Sequence, residues 1–303
     1  MRVLIAVDGS DDAFEAVRQA ARFLADEDQL ALYYSAPGVY IDSETEVQTV
    51  TLAKMRDVLA KSICGEALKS LPADVAARAE IIVDNVDPRE GIADAAGRAK
   101  ADLIVVGARG LSPLVRLLLG SVSKSVVHTA KVPVLVARRS KRAGANGLRV
   151  LLACDRPDTT SRLATAVCNL HWPPGTKGQL ITVMPAILAG RVPDWLEDQT
   201  RSPEIEELSR SWVETQKAEL QQTDQRLVEF SRCLPDAFRD KPLVVEGHPA
   251  NEILEAIERE KIDLVVLGAR RLGPIERFFG STSEAVLNHA PCSVLIVRDP
   301  PEA

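Results

Sequence analysis

A chain of 303 residues with 46% hydrophobic and 26% charged residues has the make-up of an ordinary globular protein, and its length predicts two domains. The net charge is -6, aromatics are 4% and no basic stripe is present, which argues against nucleic-acid binding because phosphate backbones need clustered Lys and Arg. No apolar run approaches the roughly 20 residues of a membrane span, and MRVLIAVDGS enters a strand pattern with no signal layout, so a cytoplasmic location without a membrane partner is expected. The five cysteines (Cys64, Cys154, Cys168, Cys233, Cys292) contain no C-x-x-C pair, and the four histidines show no ligand spacing. A disulfide framework and a side-chain metal site are both disfavoured.

In chain order, VLIAV (3–7) is continuous in β-branched and aliphatic residues and reads as a strand covered on both faces. DGSDD (8–12) leads into a helix over 12–24. LALYY (30–34), a helix over 48–68, EIIV (80–83) and a helix over 88–99 follow, the last with Pro88 in the first turn, where proline is tolerated. LIVVG (103–107) runs into GARG (107–110). Nine residues beyond Gly110, Gly120 and Ser121 open a helix over 121–129, for which Ser121 is a sound N-cap, before VPVLVA (132–137) closes the set. Strands alternating with helices predict an α/β fold with a mostly parallel sheet.

The chain then repeats itself. VLLACDRPDT (150–159) answers VLIAVDGSDD (3–12), IDLVVLGARR (262–271) answers ADLIVVGARG (101–110), and GSTSEAVLNHAPCSVLIVR (280–298) answers GSVSKSVVHTAKVPVLVAR (120–138) without a gap. The joint falls in SKRAGANGL (140–148), which has linker composition. Two domains, 1–140 and 148–303, are expected, each a five-stranded, mostly parallel sheet sandwich. The second carries extra residues around PEIEELSRSWVETQKAEL, which predict a longer second helix.

In open sheets of this kind ligands sit beyond the C-terminal strand ends, where strand order reverses. DGSDD and GARG both leave strand ends. Gly107 and Gly110 are expected to permit positive φ and close approach of a ligand to the backbone, and the free amides of Ser121, Val122 and Ser123 at a helix start form an anion site. A helix-end charge interaction contributes roughly 0.3 to 2 kcal/mol, whereas micromolar affinity needs about 8. The remainder must come from a base pocket, for which Ala6, Asp8 and Tyr34 are the candidates. GARG and GS as plain turns, and Asp8 with Ser10 as a plain helix-entry cap, are the competing structural readings.

These residues resemble the universal stress protein family. Its ATP-binding members show Gly, two residues, Gly, nine residues, then Gly with Ser or Thr, which Gly107, Gly110, Gly120 and Ser121 match; Asp8 and Ser10 match its Asp-x-Ser, and Pro133 to Val136 its closing strand. The resemblance spans nearly the whole chain and implies an adenine-nucleotide α-hydrolase-like, Rossmann-like fold. It further implies ATP, alone or with Mg, as ligand: Asp8 on adenine or ribose, Tyr34 beside the base, Gly107, Gly110, Gly120, Ser121 and Val122 on the phosphates, and Arg109 assisting.

The second copy departs from the pattern. Pro157 replaces the serine and Arg271 the second glycine, with eight residues from Arg271 to Gly280, although Asp155 is retained; conversely the family's Gly-x-Pro survives as Gly247-His248-Pro249 while the first copy has Val86-Asp87-Pro88. The second motif is therefore read as degenerate. Single-domain members pair their last strands antiparallel, so 132–137 and 293–297 are expected to meet in an internal pseudo-dimer, with a further homodimer through the long second helix left open. The expected output is a nucleotide-dependent conformational or partner-binding change in stress response, towards an unknown protein partner. Asp8, Asp11 and Asp12 are the sole acids near enough to hold a catalytic metal, and three acids after a strand more often open a helix; slow ATP hydrolysis stays compatible. The alternatives are an enzyme cleaving ATP at the α-phosphate, whose S-G-G-x-D-S loop DGSDD lacks, a phosphorylatable receiver domain using Asp8, Asp11 and Lys131, and a non-nucleotide scaffold.

Overall fold

The computed structural model describes residues 1–35, 46–110, 119–139, 147–154, 161–185, 203–269 and 280–298. All ten expected strands are present: β1 (Arg2–Ala6), β2 (Gln29–Ser35), β3 (Glu80–Asp84), β4 (Leu103–Gly107) and β5 (Val134–Ala137), then β6 (Arg149–Ala153), β7 (Lys177–Pro185), β8 (Leu243–Gly247), β9 (Leu264–Ala269) and β10 (Ser293–Arg298). The helices are α1 (Asp11–Ala21), α2 (Glu46–Leu68), α3 (Ala73–Arg78), α4 (Pro88–Arg98), α5 (Ser121–Thr129), α6 (Ser161–Cys168), α7 (Pro203–Ser231), α8 (Pro249–Arg259) and α9 (Ser281–His289). The short α3 is an addition to the sequence reading. Position α7 bears the expected lengthening, 29 residues against 23 in α2.

Side-chain alternation along each strand sorts the core into two layers. Val3 and Ile5 of β1 belong to the layer that includes residues of α1, α2, α6 and α7, while Leu4 between them belongs to the layer that includes residues of α4, α5, α8 and α9. Both faces of the sheet are thus covered, as the uninterrupted apolar runs require.

The strands form a single sheet in the order β3-β2-β1-β4-β5-β10-β9-β6-β7-β8. Within each half every pairing is parallel, and the halves join through one antiparallel pair, β5 with β10. Leu135 lies directly opposite Leu295 in that pair. On the α1 side, Phe23 of the first half meets Trp172 of the second edge-on, with ring centroids 5.5 Å apart. Strand order reverses between β1 and β4, and again between β6 and β9, so each half has one crevice at a switch point. No helix among the described residues is long and apolar enough to cross a membrane. The linker positions 140–146 and the motif residues Asp155, Pro157 and Arg271 lie outside the described residues.

Candidate functional site

The first crevice is built from the two loops that leave β1 and β4. Gly9 takes φ +85°, a left-handed value that a side chain rarely adopts, and turns the chain sharply after Asp8. Asp8 Oδ1 then accepts the Ser10 N–H at 2.9 Å, and Ser10 Oγ accepts the Ala13 N–H at 3.2 Å as the N-cap of α1. The Ser10 hydroxyl also faces the Arg109 carbonyl at 3.3 Å, tying the two loops together. Asp11 and Asp12 occupy the first turn of α1, and Asp11 pairs with Arg139 at 2.9 Å.

Three expectations are corrected here. Gly107 and Gly110 do not take positive φ. A Cβ on Gly107 would come within 2.6 Å of the Asp12 carbonyl carbon and 2.8 Å of the Ala13 nitrogen, so this glycine lets the backbone of α1 pack on the end of β4; a Cβ on Gly110 would lie 2.5 Å from Asp8 Oδ2. Ser121 is not the N-cap of α5. Gly120 holds the extended cap conformation (φ -63°, ψ 148°) without a side-chain bond, and its carbonyl accepts the Lys124 N–H at 2.9 Å. The amides of Ser121, Val122 and Ser123 therefore precede the first intrahelical bond, with no side-chain cap among the described residues, which is the geometry an anion needs. Gly120 itself donates to the Ala108 carbonyl at 2.8 Å, which sets the start of α5 over the end of β4.

Ala6, Asp8, Tyr34, Gly107, Arg109, Gly110, Gly120, Ser121, Val122 and Ser123 converge on one cavity of about 630 Å³. Ser10 does not line it; this buried hydroxyl is spent on the cap and on the Arg109 carbonyl. Ser123 lines it with its buried hydroxyl already committed to the Gly107 carbonyl, to which it donates at 2.6 Å. The sequence reading missed Tyr33, Ser35, Pro88 and Ile92, which complete the wall formed by the end of β2 and the start of α4. Tyr33 and Tyr34 point to opposite faces of the sheet, yet both reach the cavity because it wraps round the end of β2. The proline in the first turn of α4 was the available signal for that wall. Burial pushes the Tyr33 phenol up to about 12, with the Ser35 hydroxyl opposing and the Asp84 charge adding. Burial also raises Tyr34, helped by Cys64 and Asp8. Both phenols stay neutral hydrogen-bonding groups at neutral pH.

The second crevice keeps the frame and loses the contents. Ser283 donates to the Gly268 carbonyl at 3.0 Å and Gly280 caps α9 in the extended conformation, as Ser123 and Gly120 do in the first half. The β6–β7 register pairs Ala153 with Ile181 where β1–β2 pairs Ala6 with Tyr33, so Ile181, Thr182 and Val183 replace Tyr33, Tyr34 and Ser35. Thr182 turns its hydroxyl to the Cys154 carbonyl at 2.7 Å. Leu163 and Arg162 line this cavity, which is about 310 Å³.

A sequence profile of the universal stress protein family matches residues 1–138 and 186–298. A universal stress protein of Mycolicibacterium smegmatis is 26% identical over 302 residues, covering 98% of this chain and 96% of that protein. A shorter match, 48% over 61 residues, is to a universal stress protein of Thermus aquaticus, covering 20% of this chain and 44% of that protein. The crystal structure of a universal stress protein from Archaeoglobus fulgidus superposes with a TM-score of 0.62 at 20% identity, covering 98% of each chain. With two profile matches, a relative aligned from end to end and the same tandem fold, this chain belongs to the universal stress protein family.

Proposed function

We propose that the first cavity binds ATP, and that the protein is a cytoplasmic member acting in stress response through a nucleotide-dependent change in conformation or partner binding. The observation that carries this reading is the layout of the 630 Å³ cavity: tyrosines and apolar side chains at one end, and at the other the uncapped start of α5 beside Gly107, Arg109 and Gly110. An aromatic, neutral wall suits a purine, and free amides at a positive helix end suit phosphates. Asp8 lies between, with Oδ1 committed to Ser10 and Oδ2 beside Gly110, placed to accept from a ribose hydroxyl or base amine.

The acidic trio does not converge. Asp8 lines the cavity, whereas Asp11 is drawn to Arg139 and Asp12 lies in the first turn of α1. That favours a binding role over metal-dependent phosphoryl transfer, which needs carboxylates gathered around the ion. The second crevice, half the volume and aliphatic where the first is aromatic, is read as having lost ATP, with 1–140 and 148–303 as separate folding units.

The test is to denature freshly purified protein, quantify adenine nucleotide released per chain by chromatography and mass spectrometry, and titrate the emptied protein with ATP. About one nucleotide per chain, lost in Gly120→Val, supports the reading. No nucleotide and no binding would turn the function to a scaffold.

A further inference from the structure

The joint between the halves carries an asymmetry that a simple internal duplication does not require. Leu135 and Leu295 are equivalent residues of the two halves and lie opposite each other across β5 and β10. A pseudo-two-fold axis therefore passes through them, and near such an axis each residue meets its own counterpart. Lys124 and Glu284 are counterparts, each four residues after the glycine that starts its helix. Lys124 Nζ lies 2.6 Å from Glu284 Oε1, and His128 Nε2 lies 3.3 Å from Oε2. Burial alone would raise the Glu284 carboxyl, but the Lys124 ammonium, with His128 and the Asn288 amide, holds it below the ordinary range. Glu284 is therefore ionised at neutral pH, in contact with Lys124.

The opposite face of the joint repeats the asymmetry in neutral groups. Ser293 Oγ donates to Gln19 Oε1 at 2.6 Å and accepts the Arg138 N–H at 3.0 Å. The Arg138 guanidinium, largely buried, donates to the Leu287 carbonyl at 2.7 Å. The counterparts of Ser293 and Gln19 are Pro133 and Ala166, so the bonds of the Ser293 hydroxyl have no mirror image.

We propose that this joint is built for an unlike partner: the surface around Lys124 and Gln19 fits the second half of this chain and rejects a copy of itself. Two first halves would set Lys124 against Lys124 and offer Pro133 in place of the Ser293 hydroxyl. Two second halves would set Glu284 against Glu284 and offer Ala166 in place of the Gln19 amide. Like charges replace an ion pair and bonded polar groups lose their partners, which is specificity by repulsion as well as attraction. The chain accordingly closes on its own second half instead of pairing like halves between neighbouring molecules.

The experiment is a charge-swap cycle on the full-length chain: Lys124→Glu, Glu284→Lys and the double variant, each followed by urea unfolding and by light-scattering mass. Each single variant is expected to lower the folding equilibrium about tenfold, and the double to return within about threefold of the parent at an unchanged mass. Should both singles fail to fold, recovery in the double carries the same conclusion. A double variant as damaged as the singles combined, or single variants indistinguishable from the parent, overturns the proposal.

Discussion

The two crevices share a frame and differ in what fills it. Both are entered by a proline-started helix, both place a glycine-capped helix over the end of the fourth strand, and both tie that helix down with a serine bonded to a glycine carbonyl, Ser123 to Gly107 and Ser283 to Gly268. The first holds about 630 Å³ behind two tyrosines; the second holds about 310 Å³ behind Ile181 and Val183, with Leu163 lining it. The lesson is that the glycine-serine signature is partly architectural. It positions the start of a helix in either half, and the residues at the end of the second strand give the two crevices different walls.

The sharpest way to break the comparison is at the helix-starting glycines. A Cβ on Gly120 would lie 3.4 Å from the Ala108 oxygen and the Arg109 Cα, whereas a Cβ on Gly280 would meet nothing within 4 Å among the described residues. Gly120→Val is expected to weaken ATP binding by more than about 100-fold, equivalent to about 2.7 kcal/mol, with little change in fold. Gly280→Val is expected to leave ATP stoichiometry and affinity unchanged. Calorimetric titration checks both, and equal losses in the two variants would mean that the second crevice also binds.

A second contrast lies one strand back. Gly107→Ala drives a methyl into the α1 backbone, while Gly268→Ala meets nothing nearer than Leu163 Cδ1 at 3.6 Å. The first is expected to destabilise the protein by about 1–3 kcal/mol and the second by less than about 1, read from urea midpoints.

Ser123→Ala should be milder. It removes a buried bond and orphans the Gly107 carbonyl, a loss of about 1–2 kcal/mol, accompanied by weaker ATP binding as the start of α5 loosens. Ser283→Ala should cost a similar amount of stability with no effect on ATP, which separates the architectural role of the serine from its place in the first site.

The smallest effect is in acid. Asp87 caps α4 and is held down to about 2 from 3.8 by the Arg89 side-chain and backbone hydrogen bonds. A carboxyl depressed in the folded state contributes stability that is complete above 3.8 and is lost as pH falls through about 2. Because Asp87 is 41% exposed, solvent screening holds the contribution below about 1 kcal/mol. Asp87→Asn should flatten the fall in stability across that window, measured by urea unfolding at stepped pH. The second half has His248 at the same place with no side-chain cap, so His248→Asn should leave the window unaltered.

Much of this molecule was legible from the chain because its signals are local. Strand runs such as LIVVG state their double-sided burial in composition, Pro88 and Pro249 mark helix starts by their own covalent geometry, and the gapless match of 120–138 with 280–298 declared the duplication, while the meeting of the last strands followed from the family resemblance. The residues named as the candidate site from the strand ends, the glycine spacing and the family resemblance converge on one crevice, and all of them except Ser10 line its cavity. What the chain could not show was why each glycine is there. Gly107 is small for α1, Gly110 for the Asp8 carboxylate and Gly9 for a left-handed turn, three distinct causes that read identically as the letter G. Tyr33 and Ile92 join the site across 58 residues of intervening chain, and Lys124 finds Glu284 at 2.6 Å across the pseudo-two-fold. Periodicity and caps act within a few residues of backbone, so sequence alone carries them; close approach and charge pairing depend on which distant segments the sheet order brings together, and that was decided in three dimensions.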